Sequence, residues 1–166
     1  MVGRRGQAAG RGSLTIASKA QLPRWVGPMS RLIIGLQARG ISFLSFHVLA
    51  VAGRRSGATH KTVVSPFVVD GHRYVLSLGE LQWVRNARVA GRGVLARGRS
   101  EEDVALEEVN APQNRQVVRE FPRQIPGGVQ FFVRLGLVER PAGPDQFEAA
   151  ADRLALFRVD PVDPRA

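Results

Sequence analysis

The sequence contains no cysteine and very little histidine. Its 166 residues include three histidines, His47, His60 and His72. Without cysteine there are no disulfides, no cysteine-ligated zinc, no iron–sulfur clusters and no thiol catalysis, and a reducing cytoplasm is the expected compartment. None of the histidines has a second one at the spacing of metal ligands, so the sequence predicts no metal site.

Long hydrophobic runs are also absent. The longest apolar stretch, Ile41 to Ala52, is interrupted by Ser42, Ser45 and His47. It falls well short of the roughly 18 to 20 apolar residues that a membrane-spanning helix needs. Residues 1–12 contain arginine and glycine with no apolar segment behind them, so no signal peptide is predicted. We therefore expect a cytoplasmic protein.

Several motifs that mark common enzyme classes are missing as well. The chain has no Gly-x-Ser-x-Gly elbow, no Walker loop and no dinucleotide-binding fingerprint. If the protein is an enzyme, a bound cofactor is expected to supply the chemistry.

What is present is the composition of one globular domain. Hydrophobic residues make up 44% of the chain and charged residues 23%, which is ordinary for a soluble domain of this length. We assign residues 21–166 to this domain and residues 1–20 to a disordered basic tail.

The chain is strongly basic. Its formal net charge is +10, from 24 basic and 14 acidic residues. Such an excess suggests an anionic partner, either nucleic acid, a phosphate-bearing cofactor or an acidic membrane surface. Because lysine occurs only at Lys19 and Lys61, a codon bias toward arginine is the competing explanation. Aromatic residues are few, at 7%, and do not alternate with basic ones, which argues against a specific nucleic-acid partner.

The first predicted element is an amphipathic helix that begins at Pro28 and ends before Gly40. Its apolar positions, at helical spacing, are Met29, Leu32, Ile33 and Leu36. Packing of this helix on its own domain is the expected outcome, and peripheral contact with a membrane surface is the alternative.

From Phe46 onward, short β-branched runs alternate with turn residues such as Asp70-Gly71. The predicted strands are Phe46 to Ala52, Thr62 to Val69, Arg73 to Ser77, Gly93 to Arg97, Val104 to Val109 and Leu156 to Val159. The predicted helices are Leu81 to Ala90, Gln113 to Phe121, Gly128 to Leu135 and Asp145 to Leu154. Strands without regular βαβ alternation indicate an α+β fold whose antiparallel sheet curls into a barrel. An open strand edge also favours pairing, so a homodimer is left open.

The segment from Gly53 to Thr62 combines two glycines with a cluster of basic and hydroxyl residues between predicted strands. Its polar side chains include Arg54, Arg55, Ser56, Lys61 and Thr62. Glycines allow a tight bend that exposes backbone N–H groups, and the cations around it are suited to hold a phosphate. A solvated hairpin tip is the equally weighted alternative.

A second informative segment runs from Ser77 to Arg88. It ends a strand and begins a helix that carries Trp83, Arg85 and Asn86, so a flat ring could pack near the tryptophan while polar groups bind its edges. The alternative is that Trp83 simply belongs to the core.

Together these segments resemble the deazaflavin-dependent nitroreductase family of actinobacteria. That family pairs a Gly-Arg-(Arg or Lys)-Ser-Gly turn with a downstream Trp-x-x-Asn helix. Here the turn is Gly53 to Gly57 and the helix motif is Trp83 to Asn86, and the resemblance covers roughly Val48 to Glu108.

The resemblance implies an antiparallel split β-barrel with flanking helices, akin to the pyridoxamine-phosphate oxidase fold. It also implies that the protein binds coenzyme F420 and passes hydride from the reduced deazaflavin to a small acceptor such as a quinone, nitroaromatic or enone. Hydride transfer asks a protein mainly to align two rings and exclude water, which fits the missing catalytic motifs. The alternatives are FMN as the cofactor, or a non-catalytic protein of the same fold that binds F420, a flavin or haem.

Matching positions carry the family's site onto this chain. The implied cofactor-binding residues are Arg54, Arg55, Ser56, Gly57, His60, Lys61, Thr62, Trp83, Val84, Arg85, Asn86 and Arg88. Ser65, Ser77 and Trp83 are the implied substrate-binding residues. Ser77 is the candidate catalytic residue, because its hydroxyl would donate a hydrogen bond to the acceptor oxygen as negative charge develops.

The chain departs from the family pattern at several positions. His60 stands where relatives often carry arginine, Val63 where they often carry proline, and Ser65 where a tyrosine can stand. The region beyond Pro112 does not match the better-known relatives. The natural acceptor therefore cannot be read from the sequence.

Overall fold

The computed structural model describes residues 46–162 and six residues before them. Those six, all helical, are Pro28, Ser30, Arg31, Leu32, Ile34 and Gly35. They agree with the predicted helix that begins at Pro28. The predicted tail 1–20 and the predicted end of that helix, residues 36–40, lie outside the described residues.

The described region is built around one antiparallel sheet of seven strands. The strands are β1 (His47–Ala52), β2 (Thr59–Val64), β3 (Phe67–Val69), β4 (His72–Leu78), β5 (Arg92–Arg97), β6 (Ser100–Glu108) and β7 (Leu154–Pro161). Their order across the sheet is β2-β1-β5-β6-β7-β4-β3. The predicted turn Asp70-Gly71 joins β3 to β4 with positive φ at both residues, as a tight hairpin requires.

The connection between β2 and β3 shows that the sheet curls. These strands form opposite edges of the sheet, yet only Ser65 and Pro66 separate them. The three residue steps from Val64 to Phe67 span at most about 11 Å even when fully extended. The two edges therefore approach each other here, and the predicted split β-barrel with flanking helices is confirmed.

The same connection corrects one prediction. A single strand over Thr62 to Val69 was expected, but pairing stops at Val64 and resumes at Phe67 with a different neighbour. Pro66 has no N–H group to donate to a ladder, so the chain changes sheet edge at this residue. The edge strand β3 is then covered by Gln124, whose side-chain amide pairs with the backbone N–H and C=O of Val68.

Five helices flank the sheet within residues 46–162. They are α1 (Gln82–Ala90), α2 (Gln113–Val118), α3 (Phe121–Gln124), α4 (Pro126–Arg134) and α5 (Pro144–Ala149), followed by a 3-10 turn (Ala151–Arg153). The predicted helix from Gln113 to Phe121 is wrong in extent, because the chain turns after Val118 and starts α3 so that Pro122 falls in its first turn, where no N–H is needed.

Two hydrophobic clusters divide the interior. The barrel core fills the curled sheet beneath α1; its members include Leu49, Val51, Val75, Val84, Val104 and Phe157. The helical core lies between the sheet and α2 to α5; its members include Phe67, Val118, Phe121, Phe132, Phe147 and Leu156. The helical core is aromatic, with Phe121 in ring contact with Phe132 and Phe147 at centroid distances of 5.3 and 5.4 Å.

Candidate functional site

The basic turn between β1 and β2 is tightly closed by its own backbone. Gly53 N–H donates to the Ala58 carbonyl at 2.8 Å, and Gly57 N–H donates to the Gly53 carbonyl at 2.9 Å. Gly57 has φ +70°, and a Cβ on Gly53 would lie 2.8 Å from Nε2 of His60. Gly57 is therefore required by its positive φ, whereas a side chain at Gly53 would have to displace the exposed His60 ring. The bend leaves the side chains between the two glycines exposed.

A pair of hydrogen bonds joins this turn to helix α1. Arg54 donates to Oδ1 of Asn86 twice, from its backbone N at 3.3 Å and from Nη1 at 3.0 Å. The two residues are 32 positions apart in sequence, so only the tertiary fold brings them together. The Gly-Arg-Arg-Ser-Gly turn and the Trp-x-x-Asn helix thus form one structural unit.

Asn86 serves this unit from a buried position. It is 1% exposed, and its Nδ2 is buried without a hydrogen-bond partner among the described residues. A buried donor without a partner lowers the stability of the folded state by about 1–3 kcal/mol. Asn86 Oδ1 accepts from Arg54 and Asn86 Nδ2 is buried, so the contact that Asn86 makes here is the one that orients Arg54.

The basic residues of the predicted site fall into two groups. Arg55 and Lys61 are exposed, and neither has an acidic partner within the described part of the chain. Arg85 pairs with Glu80 at 2.7 Å. Arg88 makes two bonds to Glu108, both 2.7 Å, and a third to the Gly79 carbonyl.

These contacts change what each arginine can do. The hydrogen bonds that Arg88 donates to Glu108 raise the pKa of Arg88 above its ordinary value. A guanidinium already bound by a carboxylate has less to gain from a further anion. Arg55 and Lys61 are therefore better suited to bind an external phosphate than Arg85 or Arg88.

A cavity of about 360 Å³ opens beside the end of β2 and the start of α1. Its wall includes four of the predicted site residues, Thr62, Ser65, Ser77 and Trp83. Helices α3 and α4 form much of the remaining wall with Phe121, Gly127, Gly128, Gln130, Phe131, Phe132 and Arg134. A volume in this range is typical of small-molecule sites, which lie at roughly 300–1,000 Å³.

Ser77 and Trp83 occupy the inner wall of this cavity. Ser77 is 6% exposed, and its hydroxyl makes no hydrogen bond to another residue that the structure describes. Trp83 packs on Phe157 of the barrel core with ring centroids 5.6 Å apart. Trp83 therefore belongs to the barrel core and also lines the cavity. The two alternatives considered from the sequence, a core residue and a residue beside a ligand ring, are compatible.

The other predicted residues lie outside the cavity wall. Val84 is completely buried in the barrel core. Ser56 and Gly57 belong to the exposed turn, where Ser56 Oγ accepts a hydrogen bond from Ala58 N–H at 3.3 Å. His60 is exposed on β2.

Helix α4 supplies wall residues that the sequence did not point to individually. Gly127, Gln130, Phe131 and Arg134 line the cavity at i, i+3, i+4 and i+7. This spacing is the signal that could have found them, since it places all four on one helix face. Phe121 and Phe132 line the cavity and also belong to the helical core.

The arrangement fits a ligand with a phosphate at one end and a flat ring at the other. Strand β2 leads from the basic turn to the cavity, and at about 3.3 Å per residue the step from Ala58 to Thr62 covers roughly 13 Å. The turn offers cations around a bend in which Gly57 has a positive φ. The cavity offers Trp83 and an unpaired Ser77 hydroxyl.

Comparisons with known proteins support the fold. No protein-family model matches the chain, and no curated protein is similar to it in sequence. Among solved structures, the protein Atu2129 of unknown function from Agrobacterium tumefaciens aligns with a TM-score of 0.51 and 12% identity over 81% of this chain. The alignment covers 59% of that protein, so this chain spans less than two thirds of its length.

Two further solved structures align less closely. A putative pyridoxamine 5′-phosphate oxidase from Listeria innocua gives a TM-score of 0.47 at 10% identity, over 81% of this chain and 94% of that one. An F420-H2 dependent reductase gives 0.43 at 13% identity, over 72% and 99%. Identities this low show a shared fold alone.

None of the helices in the described part of the chain has the length and apolarity needed to span a bilayer.

Proposed function

We propose that the protein is an oxidoreductase that binds a phosphate-bearing flavin-type cofactor, foremost coenzyme F420, and transfers hydride to a small electrophilic acceptor. Quinones, nitroaromatics and enones are the acceptor classes proposed. The observation that carries the proposal is the bond from Arg54 to Asn86 at 3.0 Å, which joins the basic turn to the tryptophan helix beside the cavity.

The residues at the turn have the chemistry to hold the anionic end of the cofactor. Arg55 and Lys61 supply cations that have no acidic partner among the described residues, and Asn86 fixes the guanidinium of Arg54. Hydrogen bonds from charged donors to phosphate are short and about twice as strong as neutral ones. Pre-orienting the donor reduces the entropy lost on binding.

The cavity residues have the chemistry to hold the ring and the acceptor. Trp83 and the phenylalanines of α3 and α4 provide an apolar wall that excludes water. The Ser77 hydroxyl is placed to donate a hydrogen bond to an acceptor oxygen on which negative charge develops. When bound in its reduced form, the cofactor supplies a hydride, and the acceptor completes its two-electron reduction with a proton from solvent.

A non-catalytic binder of F420, a flavin or haem is the second candidate. Among the described residues, the cavity wall contains no aspartate, glutamate, lysine or histidine. That composition suits hydride transfer and simple binding equally.

The test begins with binding. The purified chain is titrated with oxidised F420 and, separately, with FMN, and fluorescence reports the affinity. The variant Arg55→Ala should bind the preferred cofactor roughly 10- to 100-fold more weakly, because a charged hydrogen bond contributes about 1.5–3 kcal/mol. Arg99→Ala is the matched control, since Arg99 follows β5 at the end of the sheet opposite the basic turn.

Turnover then separates an enzyme from a binder. Reduced F420 is mixed with menadione or a nitroaromatic, and its oxidation is followed with and without the protein. Catalysed oxidation supports the oxidoreductase, whereas tight binding without turnover supports the binder. Equal cofactor affinity of Arg55→Ala and the parent chain would remove the proposed phosphate site.

A further inference from the structure

We infer that Gly127, at the mouth of the cavity, sets the size of the acceptor, and that its missing side chain admits flat acceptors of two or more fused rings. The inference rests on the proposed function, because it takes the cavity to be the place where the acceptor binds. It names a substrate class and a specificity-determining residue that lies outside the segments resembling the nitroreductases.

Gly127 lies where the cavity opens to solvent. The four cavity residues of α4 share one face of the helix. Three of them, Gly127, Gln130 and Arg134, are exposed, and Phe131 is half-buried. Ser77, which lines the same cavity, is 6% exposed. This face of α4 therefore forms the mouth of the cavity, whereas Ser77 lies at its inner end.

The backbone does not require glycine at position 127. Gly127 belongs to α4 and lacks the positive φ that Gly136 has after the end of this helix. A Cβ at Gly127 would meet no atom within 4 Å, and glycine weakens a helix relative to alanine. The stability of the fold therefore favours a side chain at this position, and what glycine preserves is open space at the mouth of the cavity.

The neighbouring Gly128 is in the opposite situation. A Cβ there would lie 2.9 Å from both Phe121 Cζ and Ile125 Cγ2, and Phe121 and Ile125 are buried. Interiors are packed too closely to accept an added carbon without displacing such neighbours. Packing thus explains glycine at position 128 and does not explain it at position 127.

The position of Ser77 directs the body of the acceptor toward this mouth. The proposed function places the reduced group of the acceptor at the Ser77 hydroxyl. Trp83 and Phe131 line the same cavity with aromatic carbon, which favours a flat apolar body. A single ring bound at the inner end leaves the mouth unfilled, and a second fused ring extends toward Gly127. A side chain at position 127 would occupy that space and select against the larger acceptor.

The experiment compares nitrobenzene with 2-nitronaphthalene, two neutral nitroaromatics that differ by one fused ring. Equilibrium binding to the cofactor-free chain is the readout, so redox potential does not enter. The chain has two tryptophans, Trp25 and Trp83, and Trp25→Phe leaves the cavity tryptophan as the fluorescent reporter. Quenching in this background should show 2-nitronaphthalene binding more tightly than nitrobenzene, because the second ring adds apolar contact.

Substitutions of Gly127 test the size limit. Gly127→Leu should weaken 2-nitronaphthalene by about tenfold or more, as a change of methylene groups in an apolar pocket typically does, and nitrobenzene by less than about twofold. Gly127→Ala should change the affinities in the same order but by smaller factors. It should also raise the urea midpoint, because alanine favours the helix.

Two other glycines serve as controls. Gly143 has an extended backbone and open space at its Cβ, and it is not part of the cavity wall, so Gly143→Leu should leave both affinities unchanged. Gly128→Ala should lower the urea midpoint, because its Cβ would displace Phe121.

Three results would overturn the inference at the level of binding. They are equal losses of both ligands in Gly127→Leu, no loss of either, and binding of neither ligand to the Trp25→Phe chain. A fall in the urea midpoint of Gly127→Ala would overturn it as well, since glycine would then be required by the fold.

Turnover separates the inference from the proposed function. Size-dependent binding through Gly127, with no oxidation of reduced cofactor by either nitroaromatic, would support the size limit at the mouth and refute the hydride transfer. Oxidation of reduced cofactor with the same preference between the two nitroaromatics in Gly127→Leu would leave the oxidoreductase standing and the inference refuted.

Discussion

The β1–β2 turn and helix α1 are both rich in arginine, but the structure uses their charges differently. In the turn, Arg55 has no acidic partner among the described residues, and Arg54 is held by the neutral Asn86. In the helix, Arg85 and Arg88 each bind a glutamate at 2.7 Å. The sequence alone gives these four residues equal weight as cofactor ligands.

This difference shows which part of the basic excess is available to a ligand. An arginine that already binds a carboxylate has part of its charge compensated inside the molecule, and an exposed pair of this kind contributes only about 0–1 kcal/mol to stability. An arginine without such a partner keeps its full attraction for an external anion. Substitutions in the turn should therefore weaken cofactor binding, and substitutions of the paired helix arginines should chiefly affect stability.

Removing both turn arginines should nearly abolish cofactor binding. The double variant Arg54→Ala/Arg55→Ala loses two charged hydrogen-bond donors, about 3–6 kcal/mol together, or more than 100-fold in affinity. Fluorescence titration with the cofactor that the parent chain prefers measures the change. The matched control is Arg85→Ala/Arg88→Ala, which removes the same charge from the helix. Similar losses of cofactor affinity in the two double variants would contradict the claim that the turn arginines bind the cofactor and the helix arginines do not.

Replacing Asn86 should weaken binding through Arg54. Asn86→Leu keeps a side chain of similar size but removes the Oδ1 that accepts from Arg54 at 3.0 Å. We expect a loss of roughly tenfold in cofactor affinity, because Arg54 is no longer oriented. A double-mutant cycle with Arg54→Ala isolates this role. If the two substitutions are additive in binding free energy, Asn86 does not act through Arg54.

Arg88→Met should affect stability and leave binding unchanged. The variant breaks the paired bonds to Glu108 and leaves a carboxylate whose side chain is 24% exposed. We expect a loss of about 1 kcal/mol in the free energy of unfolding, since the pair is partly exposed. The urea midpoint measures it at constant m-value. A tenfold loss of cofactor affinity in this variant would show that Arg88 does contribute to cofactor binding.

Arg85→Ala should have the smallest effect. Its pair with Glu80 joins two exposed side chains, 47% and 75% accessible, and such pairs typically contribute about 0.2–1 kcal/mol at most. Both the urea midpoint and the cofactor affinity should stay within error of the parent chain. A clear fall in affinity with an unchanged midpoint would show that Arg85 contacts the ligand directly.

The barrel was more predictable from sequence than the helical region that packs on it. Short alternating strands and the Asp70-Gly71 turn are local signals, and β4 to β6 follow them to within a few residues. The helices between Gln113 and Arg153 are short and interrupted. Their boundaries depend on prolines such as Pro122 and on aromatic packing in the helical core, which no local pattern specifies.

In the candidate site too, the sequence predicted the local features and missed those that depend on tertiary contacts. The resemblance to the nitroreductases implied that Arg54 and Asn86 belong to one site, and the structure places the two residues in contact. The sequence did not distinguish free from paired arginines, because Glu108 lies 20 residues from Arg88. It also gave no reason to choose α4 over any other amphipathic segment as the wall of the cavity.

By itself, the sequence determined the antiparallel sheet, its tight turns and the chemistry of the basic segment, because alternation, glycine conformation and charge are properties of neighbouring residues. The tertiary structure decided which cations remain free, where β2 and β3 meet as the sheet curls, and that α4 lines the cavity. Those outcomes depend on contacts between residues far apart in the chain, which form only when the sheet closes and the hydrophobic clusters are packed.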